Sequence, residues 1–208
     1  MVSIFLELTD VSSVFLDDDV YLGKRVLFES DLPISNATSL GFFTDDCIRD
    51  VTLCRDGVTW LLRFDVTLFN PFQAPRYFLF FQGVYVRQNF GLQFEIHVTN
   101  QSHSWSSLID LIPDTYNVTL AFSFRHHLTV YFDGLVVGDT PPSTKTTDTS
   151  NDVEPSTEIW LGKIPDGIAA EGELNADVLV RELSLFEHEL TSAEVESIPG
   201  NLFNTNYY

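Results

Sequence analysis

Carboxylates are the first residues of this chain that could do chemistry, because two of them held close together can hydrolyse a glycosidic bond. Retaining hydrolysis needs two carboxyl groups about 5 Å apart, a separation that same-face positions of one strand supply. The nearest candidates for a catalytic set are Glu171-Gly-Glu173 and Glu187-His-Glu189. Both pairs lie at the ends of predicted strands, where solvated loop charge is the interpretation we favour.

The carboxylates inside the predicted strands are too few or too far apart to act together. One predicted strand offers Asp65 alone and another offers Glu95 alone. On a third strand, Asp177, Glu182 and Glu187 are spaced five apart, so successive members point to opposite faces. Carboxylates from different strands could still converge, but no single strand carries a catalytic set.

Histidine and serine side chains offer nucleophilic catalysis as a second chemistry. The segments His126-His127 and His103-Ser-Trp-Ser-Ser107 contain suitable groups, but no Gly-x-Ser-x-Gly motif is present to hold a serine nucleophile. Neighbouring residues of a strand point to opposite faces, so His126 and His127 cannot form one cluster by themselves. We interpret the two histidines as exposed turn residues and predict that the chain is not an enzyme.

The charge balance excludes several classes of partner. The chain has 208 residues, with 30 Asp+Glu against 11 Lys+Arg, which gives a formal net charge of −19 at pH 7. Nucleic acids, heparin-like polyanions and anionic membranes all require clustered Lys and Arg, so we expect no nucleic-acid partner. The sequence has no run of about 18 apolar residues, and we therefore expect no direct insertion into a membrane.

The cysteines and the glycosylation motifs bear on the compartment. Cys47 and Cys54 are the only cysteines, and their spacing differs from that of zinc knuckles and redox motifs. A local disulfide is our prediction, and two free buried thiols are the alternative. N-glycosylation sequons stand at Asn36, Asn100 and Asn117. Together these features predict an extracellular module, secreted or part of an ectodomain; a cytosolic protein is the alternative, since the first residues lack the basic region of a signal peptide.

Apolar and polar residues alternate with a period of two, which predicts β-strands with one buried face. In 58–68 every even position is apolar, and the pattern recurs in 90–98 and 118–124. Asp133-Gly134 predicts a tight hairpin turn between two apolar runs. Further strands are predicted at 3–8, 20–28, 76–86, 128–132, 135–137, 157–162 and 174–187.

The remaining segments complete the predicted architecture. Thr191-Ser-Ala-Glu194 has the spacing of a capping box and predicts one short C-terminal helix. Residues 139–158 are poor in apolar side chains and predict a long solvent loop inside one domain. We predict an all-β, two-sheet antiparallel sandwich over 1–200, with 201–208 as a tail or linker. The apolar phase of the strands predicts the core residues Trp60, Leu62, Phe64, Phe94, Ile96, Leu120, Phe122 and Val130.

The order of these motifs resembles the laminin-G, pentraxin and concanavalin A-like jelly rolls, a superfamily that also includes thrombospondin N-terminal-like modules. Leu128-Thr-Val-Tyr-Phe-Asp-Gly134 is similar to the superfamily's aromatic-x-Asp-Gly hairpin, and Glu158-Ile-Trp-Leu-Gly162 to the strand that follows it. In the first half, Leu22-Gly-Lys-Arg-Val-Leu-Phe28 and the Cys47–Cys54 loop resemble the laminin-G-like modules of animal surface proteins. The resemblance covers about 20–198, and Tyr116 stands where the family usually has Trp.

The resemblance implies a non-catalytic recognition or adhesion module of a larger secreted or membrane-anchored protein. Such a module binds a protein or glycan, at the cell surface or in the matrix, through loops at the rim of the sandwich. A purely architectural spacer domain is the alternative. Glycoside hydrolases of the same fold carry Glu-x-Asp-x-Glu, which this sequence lacks. Glycan binding predicts exposed aromatic residues, for which Tyr85, Trp105 and Tyr131 are the candidates.

Calcium is a candidate cofactor because many members of the superfamily bind it at the rim. Calcium takes carboxylate and carbonyl oxygens as ligands, so acidic loop clusters are where we expect it. The densest clusters are Asp17-Asp18-Asp19 and Thr44-Asp45-Asp46. Solvated charge flanking a strand is the alternative interpretation of both.

Overall fold

The computed structural model describes residues 23–30, 38–66, 76–89, 93–100, 102–110, 117–144, 156–162, 174–175 and 178–198. Most of these residues lie in β-strands, as the two-residue period predicts. The strands are β1 (Lys24–Glu29), β2 (Thr38–Phe43), β3 (Val58–Val66), β4 (Arg76–Phe81), β5 (Val84–Gln88), β6 (Gln93–Thr99), β7 (His103–Asp110), β8 (Asn117–Phe124), β9 (Leu128–Phe132), β10 (Leu135–Thr140), β11 (Ser143–Thr144), β12 (Thr157–Leu161), β13 (Leu174–Asn175) and β14 (Val178–Phe186). The helical segments are α1 (Asp46–Arg49), a 3-10 turn (Val51–Leu53) and α2 (Ser192–Ser197).

The strands form two sheets, which confirms the predicted all-β sandwich. A six-stranded sheet has the order β1-β14-β3-β8-β9-β10. A larger sheet has the order β11-β7-β6-β5-β4-β12-β2, and the short β13 pairs with β4. Apart from that parallel β13–β4 pair, the pairings among the described strands are antiparallel.

The core lies between the sheets and is rich in aromatic rings. Trp60 of the six-stranded sheet contacts Phe81 of the larger sheet with ring centroids 4.6 Å apart, and Phe64 contacts Phe78 at 5.1 Å. Rings at these distances contribute packing energy beyond their buried area. The predicted core residues are all buried, which confirms the register read from the alternation: Trp60, Leu62, Phe64, Phe94, Ile96, Leu120, Phe122 and Val130.

The outer face of the six-stranded sheet carries a second apolar cluster, so this sheet is buried on both sides where α2 covers it. Leu61 and Ala121 lie in the polar phase of their strands, yet both are buried under the C-terminal segment. That segment contributes Val195 and Ile198. α2 begins at the predicted capping box, in which Thr191 and Glu194 bond each other's backbone N–H groups. None of the helices in the described part of the chain has the length and hydropathy needed to cross a bilayer.

Several elements differ from the sequence predictions. The single strand predicted over 76–86 is the hairpin β4–β5, because Gly83 adopts φ +74° and turns the chain. β2 and β7 were not predicted, because a glycine in β2 and the serines in β7 obscure the apolar alternation. α1 was not predicted either. The loop predicted over 139–158 starts later, since β10 and β11 reach into it. The strand predicted at 3–8 lies outside the described residues.

We predict that Phe122→Ala destabilises the fold by about 3–5 kcal/mol, because it leaves a cavity beneath Trp60 in the inter-sheet core. The two rings stack with centroids 6.4 Å apart, and Phe122 has no exposed surface. Urea unfolding followed by tryptophan fluorescence measures the loss. Phe42→Ala is the matched control, since Phe42 is 72% exposed and its truncation should cost within about 0.5 kcal/mol. A cost below about 1 kcal/mol for Phe122→Ala would show that the register is wrong.

Candidate functional site

Four chain turns enclose a pocket of about 420 Å³ at one end of the sandwich, a volume within the range of small-ligand sites. The turns are those before β3, between β6 and β7, between β8 and β9, and between β10 and β11. We call this cavity the rim pocket. The side chains that give it its chemical character are Arg55, Asn100, His103, Trp105, Arg125 and His126.

Strand pairing explains why distant parts of the sequence meet here. β3 and β8 are antiparallel, and Val58 stands opposite Phe124. The residues just before β3 and just after β8 therefore lie at the same end of the sheet. This pairing brings Arg55 and Arg125 to the same end of the sheet, although 69 residues separate them in the sequence.

Gly57 lets the first turn approach the end of β8 closely. Its φ of +83° suits glycine, and a Cβ at this position would lie 2.9 Å from the Phe124 carbonyl oxygen. The Gly57 N–H donates to the Cys54 carbonyl at 3.2 Å, which closes the turn that carries Arg55. A disulfide joins Cys54 to Cys47 and fastens the same turn to α1. The position of Arg55 is thus set by a glycine and by a covalent bond.

The base of the pocket is aromatic. The Trp105 ring packs edge-on against Phe124 with centroids 4.7 Å apart, and its Nε1–H donates to the His126 carbonyl at 3.2 Å. Trp105 is only 5% exposed, so it forms a floor and is not the exposed glycan platform that the sequence suggested. Tyr131 is 4% exposed and lies beneath the C-terminal segment, so it is not exposed either.

The β6–β7 turn is held by Asn100. Its Oδ1 accepts the backbone N–H groups of Ser102 and His103 at 2.9 and 2.7 Å, and its own N–H donates to the His103 carbonyl at 3.0 Å. These bonds fix His103 at the pocket wall. Of the predicted sequons, Asn36 and the side chain of Asn117 lie outside the described residues. Glycosylation at Asn36, Asn100 and Asn117 stays a prediction.

The rim pocket is positively charged in a strongly acidic protein. No Asp or Glu is among its lining residues, and both Arg55 and Arg125 are exposed. Within the described residues, neither guanidinium forms an ion pair. Five other cations of this part of the chain do have carboxylate partners: Lys24, Arg25, Arg49, Arg63 and Arg87. These two arginines were not predicted as site residues. Their position was nevertheless a signal, because each is a cation, scarce in this sequence, at the end of a predicted strand.

Of the carboxylates considered for catalysis that the structure describes, none lines the pocket, but Glu189 lies beside the turn that carries Arg55, where its backbone N–H donates to the Asp56 carbonyl at 3.0 Å. Glu182 is buried on β14 and accepts from Lys24 and Arg63, both at 3.0 Å. Glu187 is exposed beyond the end of the same strand. Glu171, Glu173, Asp177 and the side chain of Asp65 lie outside the described residues. Of the predicted set on this strand, the structure describes only Glu182, which is held by two cations, and Glu187, five residues further along.

Glu95 lies on the face of the larger sheet that points away from the core, where its partners stabilise the ionised form. Its two oxygens accept from Tyr85 Oη at 3.0 Å, Arg87 Nε at 2.9 Å and Asn89 Nδ2 at 3.0 Å. Burial by itself would raise the pKa of Glu95, but the Asn89 and Arg87 hydrogen bonds and the Arg87 charge outweigh it and lower the pKa. Burial, together with the Glu95 charge, raises the pKa of Tyr85. Such a carboxylate suits structural support and is a poor general acid.

The aspartates considered for calcium have other partners. Asp45 accepts the Cys47 N–H at 3.0 Å as the N-cap of α1 and also pairs with Arg25 at 3.1 Å. Asp46 pairs with Arg49. Across the described ranges, no three His, Cys, Asp or Glu side chains converge as metal ligands. The cluster Asp17–Asp19 lies outside those ranges.

Two of the histidines considered for catalysis, His126 and His127, are surface residues, as predicted. His126 and His127 are exposed in the turn between β8 and β9, and only His126 lines the rim pocket. His127 Nδ1 lies 3.3 Å from an Asp139 carboxylate oxygen. In the segment 103–107, Ser106 hydrogen-bonds to Glu95, so no serine there is paired with a histidine base in the contacts that the structure describes.

Comparison with known proteins finds likeness in structure but not in sequence. No protein-family model and no curated protein sequence matches the chain. A binding domain of botulinum neurotoxin DC in complex with SialylT superposes with a TM-score of 0.52 at 10% identity, over 74% of this chain and 37% of that one. A structure described as a receptor binding domain gives a TM-score of 0.50 at 9% identity, over 68% and 34%. The chain spans little more than a third of the length of these structures. The likeness shows the sandwich fold and does not distinguish the laminin-G type.

We predict that Glu95→Gln destabilises the protein by about 1–3 kcal/mol at pH 7, because it leaves Arg87 without its counter-charge. The folded-state pKa of Glu95 is lowered, so its stabilising contribution is present above the unfolded pKa and is lost as the pH falls through the folded value. The difference between the two proteins should therefore shrink below about pH 4. Urea unfolding at pH 7 and at low pH measures it, with the exposed Glu187→Gln as control. An equal difference at both pH values would contradict the assignment.

We predict that the Cys47–Cys54 disulfide forms in protein made in an oxidising compartment. Alkylation of the unfolded, unreduced chain should then label no thiol, and prior reduction should release two. The chain has no cysteine besides these two, so every labelled thiol comes from Cys47 or Cys54. Two labelled thiols without reduction would contradict the prediction.

Proposed function

We propose that the chain is a non-catalytic extracellular recognition module that binds a protein or glycan ligand in the rim pocket. The single observation that carries the proposal is the construction of the pocket. Turns from four separate parts of the chain, fixed by Gly57, the disulfide and the Asn100 bonds, converge over the Trp105 floor. Binding residues are characteristically placed in this way, on loops held by a rigid scaffold.

The neighbours in structure support a binding role over a catalytic one. They are described as binding domains, and one of them is in complex with SialylT. The laminin-G-like order of motifs points in the same direction. A hydrolase is disfavoured because the strand carboxylates Glu95 and Glu182 lie in different sheets and each is held by ion pairs. An architectural spacer needs no pocket with fixed walls, and this sets it apart from the proposed function.

The extracellular setting is part of the proposal and is supported by chain chemistry. A disulfide in so small a loop persists in oxidising compartments, and three sequons accompany it. Asn100 lies at the pocket, so glycosylation there would place a sugar chain beside the ligand site.

We test the function with the full chain, using one variant that fills the pocket and one that does not. His126→Trp puts a large ring into the pocket, while its neighbour His127→Trp is exposed outside it. We expect saturable binding to a glycan array or to a cell-surface protein. The affinity should fall at least tenfold in His126→Trp and stay unchanged in His127→Trp.

Three outcomes would contradict the proposed function. Turnover of any glycan that disappears when one Asp or Glu is changed to its amide would establish an enzyme. Unchanged binding by His126→Trp would place the ligand elsewhere. No binding to any glycan or surface protein would favour the architectural spacer.

A further inference from the structure

Arg55 and Arg125 line the same pocket, and neither forms an ion pair within the described part of the chain. Arg55 and Arg125 lie at the same end of the β3–β8 pair, and no carboxylate lines the cavity between them. A guanidinium that forms no ion pair in the protein is available to an anionic ligand. Five other cations of the described residues have carboxylate partners within the protein.

We propose that the rim pocket binds an acidic glycan through a carboxylate on one sugar residue, with Arg55 and Arg125 as the carboxylate-binding residues. This inference rests on the proposed function and specifies its ligand. A guanidinium offers paired N–H donors in a planar fork that matches the two oxygens of a carboxylate. A pocket of about 420 Å³ with two guanidiniums in its walls suits a sugar residue that carries one carboxylate.

The net charge of the chain favours a ligand with a single anionic group over a polyanion. At −19 the surface repels extended polyanions such as nucleic acid or heparin-like chains along most of its extent. Repulsion of this kind fades beyond about 8 Å at physiological ionic strength. A ligand with one carboxylate at its end can place that group inside the pocket while its uncharged remainder meets the acidic surface at little cost. The charge distribution therefore favours a glycan with a terminal acidic residue.

The floor of the pocket provides the readout. Trp105 lies directly beneath the cavity, so its fluorescence should respond to an occupant. We titrate the full chain with three probes that differ at one position: 3′-sialyllactose, which ends in a carboxylate; 3′-sulfolactose, which ends in a sulfate; and lactose, which is neutral. We expect 3′-sialyllactose to bind at least tenfold more tightly than either of the others, with an affinity that falls as NaCl rises.

Charge variants test the two arginines. Arg55→Gln and Arg125→Gln should each weaken 3′-sialyllactose binding by about tenfold or more and bring it towards the lactose value. Arg55→Lys, which keeps the charge and loses the fork, should fall between wild type and Arg55→Gln. Arg25→Gln changes the net charge equally at an exposed site outside the pocket and should leave binding unchanged. Urea unfolding of each variant verifies that the fold is retained.

The outcomes distinguish this inference from the proposed function. Equal affinity for lactose and 3′-sialyllactose, with Arg55→Gln and Arg125→Gln unaffected but His126→Trp inactive, would overturn the acidic-glycan assignment and leave the pocket as the binding site. Preference for 3′-sulfolactose would overturn the choice of carboxylate. No response to any of the three probes would also overturn the inference. Binding of 3′-sialyllactose that survives His126→Trp would contradict the pocket itself.

Discussion

The register of β3 is the constraint on which the rest of the structure depends. Trp60 points into the core, where it contacts Phe81 of the other sheet and Phe122 of its own. A slip of one residue along β3 would turn this ring towards the outer face and bring Leu61 inward, so the buried tryptophan locks the strand. The same register puts Gly57 at the end of β8, where a Cβ would lie 2.9 Å from the Phe124 carbonyl oxygen. Core packing and pocket geometry are therefore set by one strand.

The sequence predicts the parts of this fold that depend on local alternation. Residues within a few positions of one another were enough to predict three features. These are the buried faces of β3, β6 and β8, the Asp133-Gly134 hairpin and the capping box at Thr191. β7 could not be recognised in the same way, because its inward positions include Ser107 and its polar phase includes the exposed Leu108. Burial there is decided by the neighbouring strands, which a single sequence does not reveal.

The candidate site was less predictable than the fold for a related reason. A pocket made from four turns depends on which strands pair, and the β3–β8 pairing carries no local signal in either segment. Trp105 shows the same limit: its type suggested an exposed binding ring, whereas contact with Phe124 and a bond to the His126 carbonyl make it a floor. The disulfide was accessible to sequence reasoning because its two cysteines are close in the chain.

The cations of the described residues fall into two groups, those with carboxylate partners and those without. The chain has 30 acidic residues against 11 basic ones, so carboxylate partners are plentiful. Each exposed pair so formed contributes about 0.2–1 kcal/mol, and a half-buried one such as Arg87–Glu95 also fixes the surrounding side chains. Arg55 and Arg125 form no such pair with the residues that the structure describes, so they contribute none of that stabilisation. The two guanidiniums are therefore free to meet a charge from outside the protein, which is why the proposed ligand is anionic.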